Sequence, residues 1–290
     1  MNAQQFRVRS GDRKPLGRLP TDFTGGFADK DAALKQLAGR LAELEALQWK
    51  LYAQRRHALL VILQGMDTAG KDSVIRHVFS AFNPQSVSVH GFKQPSAEEL
   101  GHDFLWRTSR VLPARGEIGV FNRSYYEEVT VVRVHPELLE PQHLPDVGST
   151  ISDERFDDIN AYERHLRRSG TLVTKCFLNI SRREQEERLL ARIDDPSKNW
   201  KFSPGDLPER ARWKPYMKAY AEALAATSSK HAPWYVIPAD YKWFAHAVIA
   251  EILFKTLSDL DLRYPPLTPM QRREMAQARR QLTGRSKKRA

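Results

Sequence analysis

The stretch Ala58-Leu-Leu-Val-Ile-Leu-Gln-Gly65-Met-Asp-Thr-Ala-Gly70-Lys71-Asp72 decides the fold. Its first six residues are aliphatic without alternation, the pattern of a strand buried on both faces of a parallel sheet. The strand runs directly into G-x-x-x-x-G-K. In such a loop glycines let backbone N–H groups converge on phosphate oxygens, the next helix presents its free N-terminal amides, and the lysine adds a mobile charge. The alternative is an ordinary strand-to-helix turn with Lys71 on the surface; the coincidence of strand, spacing and lysine argues against it. Gly65, Ala69, Gly70, Lys71 and Asp72 are therefore the candidate phosphate contacts.

The loop departs from the usual pattern at two places. Asp72 stands where Ser or Thr normally helps to hold magnesium. Asp67 lies inside the cradle, where a carboxylate repels bound phosphate unless a cation sits between them, so Asp67 is the candidate metal ligand. A turn residue bonding its own backbone is the plainer reading of Asp67.

Working outward, strands are expected over 87–91, 117–121, 171–179 and 234–238, each followed by a stretch that can be helical. That alternation predicts an α/β fold, a P-loop kinase-like parallel sheet flanked by helices. Leucines at 34, 37, 41, 44, 47 and 51 predict a helix over 31–56. Amphipathic segments at 184–193 and 208–227 form an insertion ahead of the last strand, read as a helical lid over about 181–227. A closing helix carries Val248, Ile252 and Leu257. Residues 1–29, rich in Pro and Gly, read as an extended arm, 30–269 as the phosphate-handling domain, and 270–290 as a basic tail whose end, 285–289, is expected to be solvated.

Asn122, Arg123 and Glu127 follow the third strand, at the rim where open α/β sheets bind ligands. Asn122 can orient a metal-bound water, and Arg123 can bridge phosphates and stabilise the charge that spreads in transfer. Ser124-x-x-Glu127 is also a capping-box pattern, which would give Glu127 a purely helix-initiating role. In the lid, Arg188 and Arg192 are four apart on one helix face, ahead of a loop bearing Lys198 and Lys201. They are candidates to close over phosphates; a solvated helix with Glu184–Arg188 pairing is the alternative.

The formal charge of +11 does not describe the core. Residues 270–290 carry eight Lys/Arg against Glu274, and residues 1–20 carry five against Asp12. The span between is formally neutral, so a nucleic-acid partner is not expected, although binding through the basic ends is the non-enzymatic alternative. Cys176 is the only cysteine, which excludes an intrachain disulfide and fits a cytoplasmic setting. No apolar run approaches the roughly 20 residues of a membrane helix. A self-associating protein is expected; the leucine stripe of 31–56 is read first as packing on the core, and a face for self-association would look identical.

GMDTAGKD (65–72), FNRSYYEEVTVVRVHPE (121–137), EQEERLLARIDDPSKNWKFS (184–203) and TSSKHAPWYVIPADYKWFAHAVIAEIL (227–253) together resemble the ordered signature blocks of the polyphosphate kinase 2 family. The resemblance implies a thymidylate-kinase-like fold with a lid. It implies transfer between inorganic polyphosphate and a nucleotide, with Mg2+ as cofactor and Mn2+ as a substitute. Asp67, Lys71, Arg123 and Arg192 match the family's catalytic positions. Arg188, Lys198 and Lys201 are the candidate polyphosphate contacts. Asn122 stands where other branches have a catalytic Asp, and Glu127 where some have Asn, as in the branch that accepts both AMP and ADP to give ADP and ATP. An ADP-only enzyme and an ATP-dependent nucleotide kinase are the enzymatic alternatives.

Overall fold

The structure, a computed structural model, describes residues 1–9, 11–12 and 14–286. Five parallel strands form one sheet in the order β2-β3-β1-β4-β5. They are β1 (Ala58–Gln64), β2 (Val87–Gly91), β3 (Ile118–Asn122), β4 (Thr171–Asn179) and β5 (Trp234–Pro238). Every residue of β1 is buried, because β1 pairs with β3 on one side and β4 on the other and helices cover both faces. That placement explains its unbroken aliphatic run.

Helices α1 (Lys30–Gln54), α2 (Lys71–Val78), α3 (Ala97–Leu100), α4 (Trp106–Ser109), α5 (Glu127–Val134) and α6 (Ile151–Arg168) precede the fourth strand. The later ones are α7 (Arg182–Asp194), α8 (Asp206–Ala211), α9 (Trp213–Thr227), α10 (Lys242–Ser258) and α11 (Pro269–Ser286). The Asp29 side chain accepts from the Ala32 amide to start α1, and Leu37, Leu44 and Leu51 are buried one heptad apart in the core that also takes α2 and α10. The leucine stripe is thus occupied within the chain. The other core, on the opposite face of the sheet, is built on α5, α6 and α9. Truncating Leu44, fully buried, to alanine costs about 2–5 kcal/mol by the usual measure of core cavities.

Two expected boundaries change. The single helix expected over 208–227 is broken at Arg212, where α8 ends and α9 begins. Pro215 has no N–H to offer an intrahelical bond, so it is accommodated in the first turn of a new helix. The expected extended arm is instead folded onto the core. Phe6, Phe23 and Phe27 each meet the Phe244 ring edge-on, and the Val8 amide donates to the Trp234 carbonyl at 2.9 Å. Burial of the Phe6 ring, partial burial of Phe23 and Phe27, and partial pairing of the exposed β5 edge fix it there. In the tail, residues 269–283 of α11 are exposed, and residues 287–289 of the basic end lie outside the described residues. Among the described residues no helix is long and apolar enough to cross a membrane.

Candidate active site

The loop after β1 is held in a shape that needs glycine at both ends. Gly65 has φ +150°, and a Cβ there would stand 2.8 Å from the Leu178 carbonyl oxygen. Gly70 has φ +107° and precedes α2 directly. A side chain has room at Gly70, so its requirement is conformational, not steric.

Lys71 begins α2 and folds back across the loop. Its ammonium donates to the carbonyls of Gly65 at 2.7 Å and Met66 at 3.2 Å. Burial, then the nearby Arg123 guanidinium, lower its pKa to about 8, against the opposing pull of Asp67, Glu127 and Asp72. Asp72, in the first turn of the same helix, accepts from the Asn122 side chain at 2.7 Å. The unusual Asp of the motif therefore ties the loop to the end of β3.

Arg123 is the hinge of the site. It takes a left-handed conformation, φ +66°, while its amide still donates to the Leu63 carbonyl at 3.0 Å. That turn throws the guanidinium out of the sheet to meet Asp67 at 2.7 Å and Glu127 at 3.4 Å. A non-glycine residue there costs of order 1–3 kcal/mol and persists only where its surroundings over-determine it. Those surroundings are a buried polar network just behind. The Tyr125 and Tyr126 hydroxyls both donate to Glu163 at 2.9 Å. Lys175, as fully buried as Glu163, pairs with that carboxylate and donates to the Tyr126 oxygen and the Thr227 carbonyl.

The capping-box reading of Glu127 fails. The Ser124 hydroxyl accepts from the Tyr126 amide, and α5 starts with no side-chain cap. The Glu127 amide donates to the Ser124 carbonyl at 3.1 Å rather than to its hydroxyl. Glu127 instead points at Arg123 from a partly buried position, where desolvation raises its pKa although Arg123 and Lys71 pull it down.

Arg188 is also corrected. Its Nε donates to Glu184, one terminal nitrogen to the Thr68 and Ala69 carbonyls, and the other to the Ala239 and Asp240 carbonyls, all between 2.7 and 3.0 Å. All five N–H donors of a guanidinium are thereby committed. Arg188 braces the loop against the end of β5 and has nothing left to offer a phosphate chain.

The other lid cations are placed differently. Arg192 pairs with Asp206 at 3.1 Å and donates to the Lys201 carbonyl. Lys198 pairs with Asp195 at 2.6 Å, and Lys201 lies over the Trp200 ring. Lys242, which sequence reasoning missed, completes this side: its Cγ is 4.0 Å from where a Gly70 Cβ would stand. Its pKa is lowered by burial first, then by Arg188, with Lys198 and Lys201 adding to the effect. The signal was a lysine in the first helical position of α10, an unfavourable place against the helix dipole.

On the β3 side a cavity of about 370 Å³ opens from the loop. Met66, Asp67, Arg123 and Glu127 form its loop end, Val131, Val132, Leu138 and Pro141 an apolar wall, and Tyr216 and Tyr220 of α9 a third side. Lys93 and Arg107 bring cations to it. Sequence reasoning placed no such pocket, because its walls come from segments far apart in the chain. The arrangement is an anion cradle between a cation-bearing lid and a chamber of nucleoside size, suited to passing a phosphoryl group between two bound phosphates.

Comparison with known proteins agrees with this geometry. The model of the family "Polyphosphate kinase 2 (PPK2)" matches residues 27–264. A Rhodopseudomonas palustris protein named ADP-polyphosphate phosphotransferase is 48% identical over 97% of this chain and 99% of its own. A Meiothermus ruber protein named AMP/ADP-polyphosphate phosphotransferase is 43% identical over 90% and 95%. The crystal structure of polyphosphate kinase 2 from Arthrobacter aurescens TC1 is 41% identical, superposes with a TM-score of 0.86, and covers 94% of this chain and 95% of its own. Matched along most of its length by that family model and by these relatives, the chain belongs to the polyphosphate kinase 2 family.

Proposed function

We propose that this protein transfers the terminal phosphate of inorganic polyphosphate to AMP and to ADP, giving ADP and ATP. The observation that carries this reading is the chamber on the β3 side. It opens on the loop beside Arg123 and Glu127 and is closed by apolar and aromatic walls, so a nucleotide seated there presents its phosphate to the cradle. The opposite side of the loop offers Lys198, Lys201 and Lys242 to a phosphate chain with no bases to read.

In this reading Lys71 leaves the Gly65 and Met66 carbonyls to neutralise the transferring phosphoryl group. Arg123, already between two carboxylates, moves onto the oxygens that gain charge. The Arg188 brace keeps the loop amides aimed, and Glu127 holds Arg123 while the chamber fills. No covalent enzyme intermediate is required; alignment and charge carry the step.

Among the described residues no three His, Cys, Asp or Glu side chains gather as a metal cage, and the cation that faces Asp67 is Arg123. Hard oxygens spread singly around the cradle fit magnesium, which keeps waters and phosphate oxygens and takes one or two carboxylates. Asp67 would hold it, with manganese as a substitute. When bound, it neutralises phosphate charge. Asp67→Asn should weaken the magnesium dependence, and an unchanged magnesium titration would remove Asp67 from that role.

The direct test is incubation with polyphosphate and magnesium and either AMP or ADP. Turnover of ADP with none of AMP would select the ADP-only alternative, and dependence on ATP as donor would replace the reading altogether.

A further inference from the structure

We propose that the sheet edge opposite the phosphate cradle is a second binding surface for the polyphosphate chain, one that holds a distal stretch of long chains. This rests on the polyphosphate reading above. All five strands are parallel, so every strand enters the sheet at one edge and the cradle lies at the other, roughly 25 Å away along β1 at about 3.3 Å per residue. Arg55 and Arg56 precede β1, Arg115 precedes β3, Arg167 and Arg168 precede β4, and Lys230 precedes β5. All six are exposed.

The cations form one continuous band. The Arg115 guanidinium donates to the Ser169 carbonyl at 3.3 Å, and its Nε and the Arg56 carbonyl both lie within 3.8 Å of the space over Gly170. His231, next to Lys230, has its pKa lowered by burial first, against the pull of Glu163, with Lys175, Arg164 and Arg167 adding to the lowering. Arg7 of the docked arm reaches the Lys230 carbonyl at 3.4 Å, and Arg18 donates to the Arg7 carbonyl at 2.7 Å. Arg7, Arg9, Arg18 and Lys230 line a groove there. From β3 to the arm the band crosses about four strand spacings, roughly 20 Å.

Little opposes this charge. The entering segments and the arm from residue 7 to residue 18 contain two carboxylates, Asp12 and Glu117. Asp12 stands 4.0 Å from Arg18, and Glu117 accepts from the Ala114 amide. Among the described residues none of the ion pairs takes in Arg55, Arg56, Arg167, Arg168 or Lys230, whereas the lid lysine Lys198 and the site arginine Arg123 each have a carboxylate partner. A row of unpaired like charges gathered at one place on a core whose formal charge sums to zero favours an anionic partner there.

The same segments contain no Phe, Tyr or Trp. Single-stranded nucleic acid is held by stacking its bases on successive aromatic rings above a cationic track; here the ring beside the track, Tyr52, already meets the Arg55 guanidinium and the Trp49 ring. A linear polyanion without bases is the partner this chemistry fits. A long chain held at both edges returns its free end to the cradle at a high local concentration, whereas a chain too short to span the molecule gains nothing.

The experiment compares the wild-type protein with the triple variant Arg167→Gln/Arg168→Gln/Lys230→Gln, using long-chain and short-chain polyphosphate, and thermal melting to confirm an unchanged fold. The KM for long chains should rise about three- to tenfold, and the salt slope of long-chain binding should fall by about 2, near 0.7 for each phosphate that is no longer neutralised. Turnover of short chains should not change. An equal change with both donors, or none with either, overturns the proposal. So does loss of RNA or duplex DNA binding in the variant with long-chain polyphosphate unaffected, which would make the band a nucleic-acid surface. Retention of long-chain polyphosphate, measured without turnover, decides the band even if the wild-type protein phosphorylates no nucleotide, an outcome that would refute the proposed activity alone.

Discussion

Two arginines flank the phosphate loop, and they are built to opposite purposes. Arg188, on the lid side, has each of its N–H groups on a fixed acceptor and is buried between the loop and the end of β5. Arg123, on the β3 side, is held by two carboxylates in a left-handed turn and opens on a chamber. Charge alone does not distinguish them. What separates a brace from a reagent is whether its donors are already satisfied, because a guanidinium with five partners gains nothing from a sixth.

The contrast can be broken at several points. The largest effect belongs to the charge both arginines serve: Lys71→Ala should lower kcat by at least about 10³, in line with removing a group that meets charge in the transition state, and retained turnover would refute its role. Arg123→Ala should cost about 10²–10³ in kcat with little change in melting temperature, and Arg123→Lys should recover little, since a point charge cannot span Asp67 and Glu127 together.

Arg188→Ala should act in the other direction. Its removal leaves the Thr68, Ala69, Ala239 and Asp240 carbonyls and Glu184 without their donors, so stability should fall by about 3–5 kcal/mol, as for other broken buried charge networks. A calorimetric or denaturant series would show it, and an unchanged midpoint would mean that the brace is not one.

Smaller effects follow from charge on the free enzyme. Lys71, with its pKa lowered to about 8 by burial, is an ammonium below that pH and loses its proton as the pH rises through it. Phosphate binding needs the charged form, so kcat/KM should fall above pH 8 by up to about tenfold per unit. A profile flat to pH 9 would show that the lysine is not desolvated. Smallest of all, Lys198→Ala or Lys201→Ala should raise the KM for polyphosphate only a few-fold, because both side chains are well exposed and such contacts are screened by salt.

The parallel sheet was legible because β1, buried on both sides, has no alternative but an unbroken aliphatic run, and the cradle because glycine and lysine at fixed spacing have few other uses. Arg123 was legible as a polar residue just past a strand end. The fate of Arg188 was not: Thr68, Ala69, Ala239 and Asp240 offer carbonyls that leave no mark on side-chain identity, and their convergence exists only in three dimensions. The chamber was hidden for a related reason. Val131 and Leu138 are apolar side chains with nothing in sequence to set them apart from core residues, and Tyr216 and Tyr220 fall on the one face of an amphipathic helix. The arm misled by composition, since its prolines and glycines outweighed three phenylalanines that find a common partner in Phe244.

The central claim is that the chamber seats a nucleotide whose phosphate meets a polyphosphate end across the loop. One measurement addresses it most directly: product formation from polyphosphate and magnesium with AMP and ADP as separate acceptors and no ATP supplied. ADP and ATP appearing from AMP, and ATP from ADP, are the predicted results. Absence of any phosphorylated product from either acceptor would contradict the account.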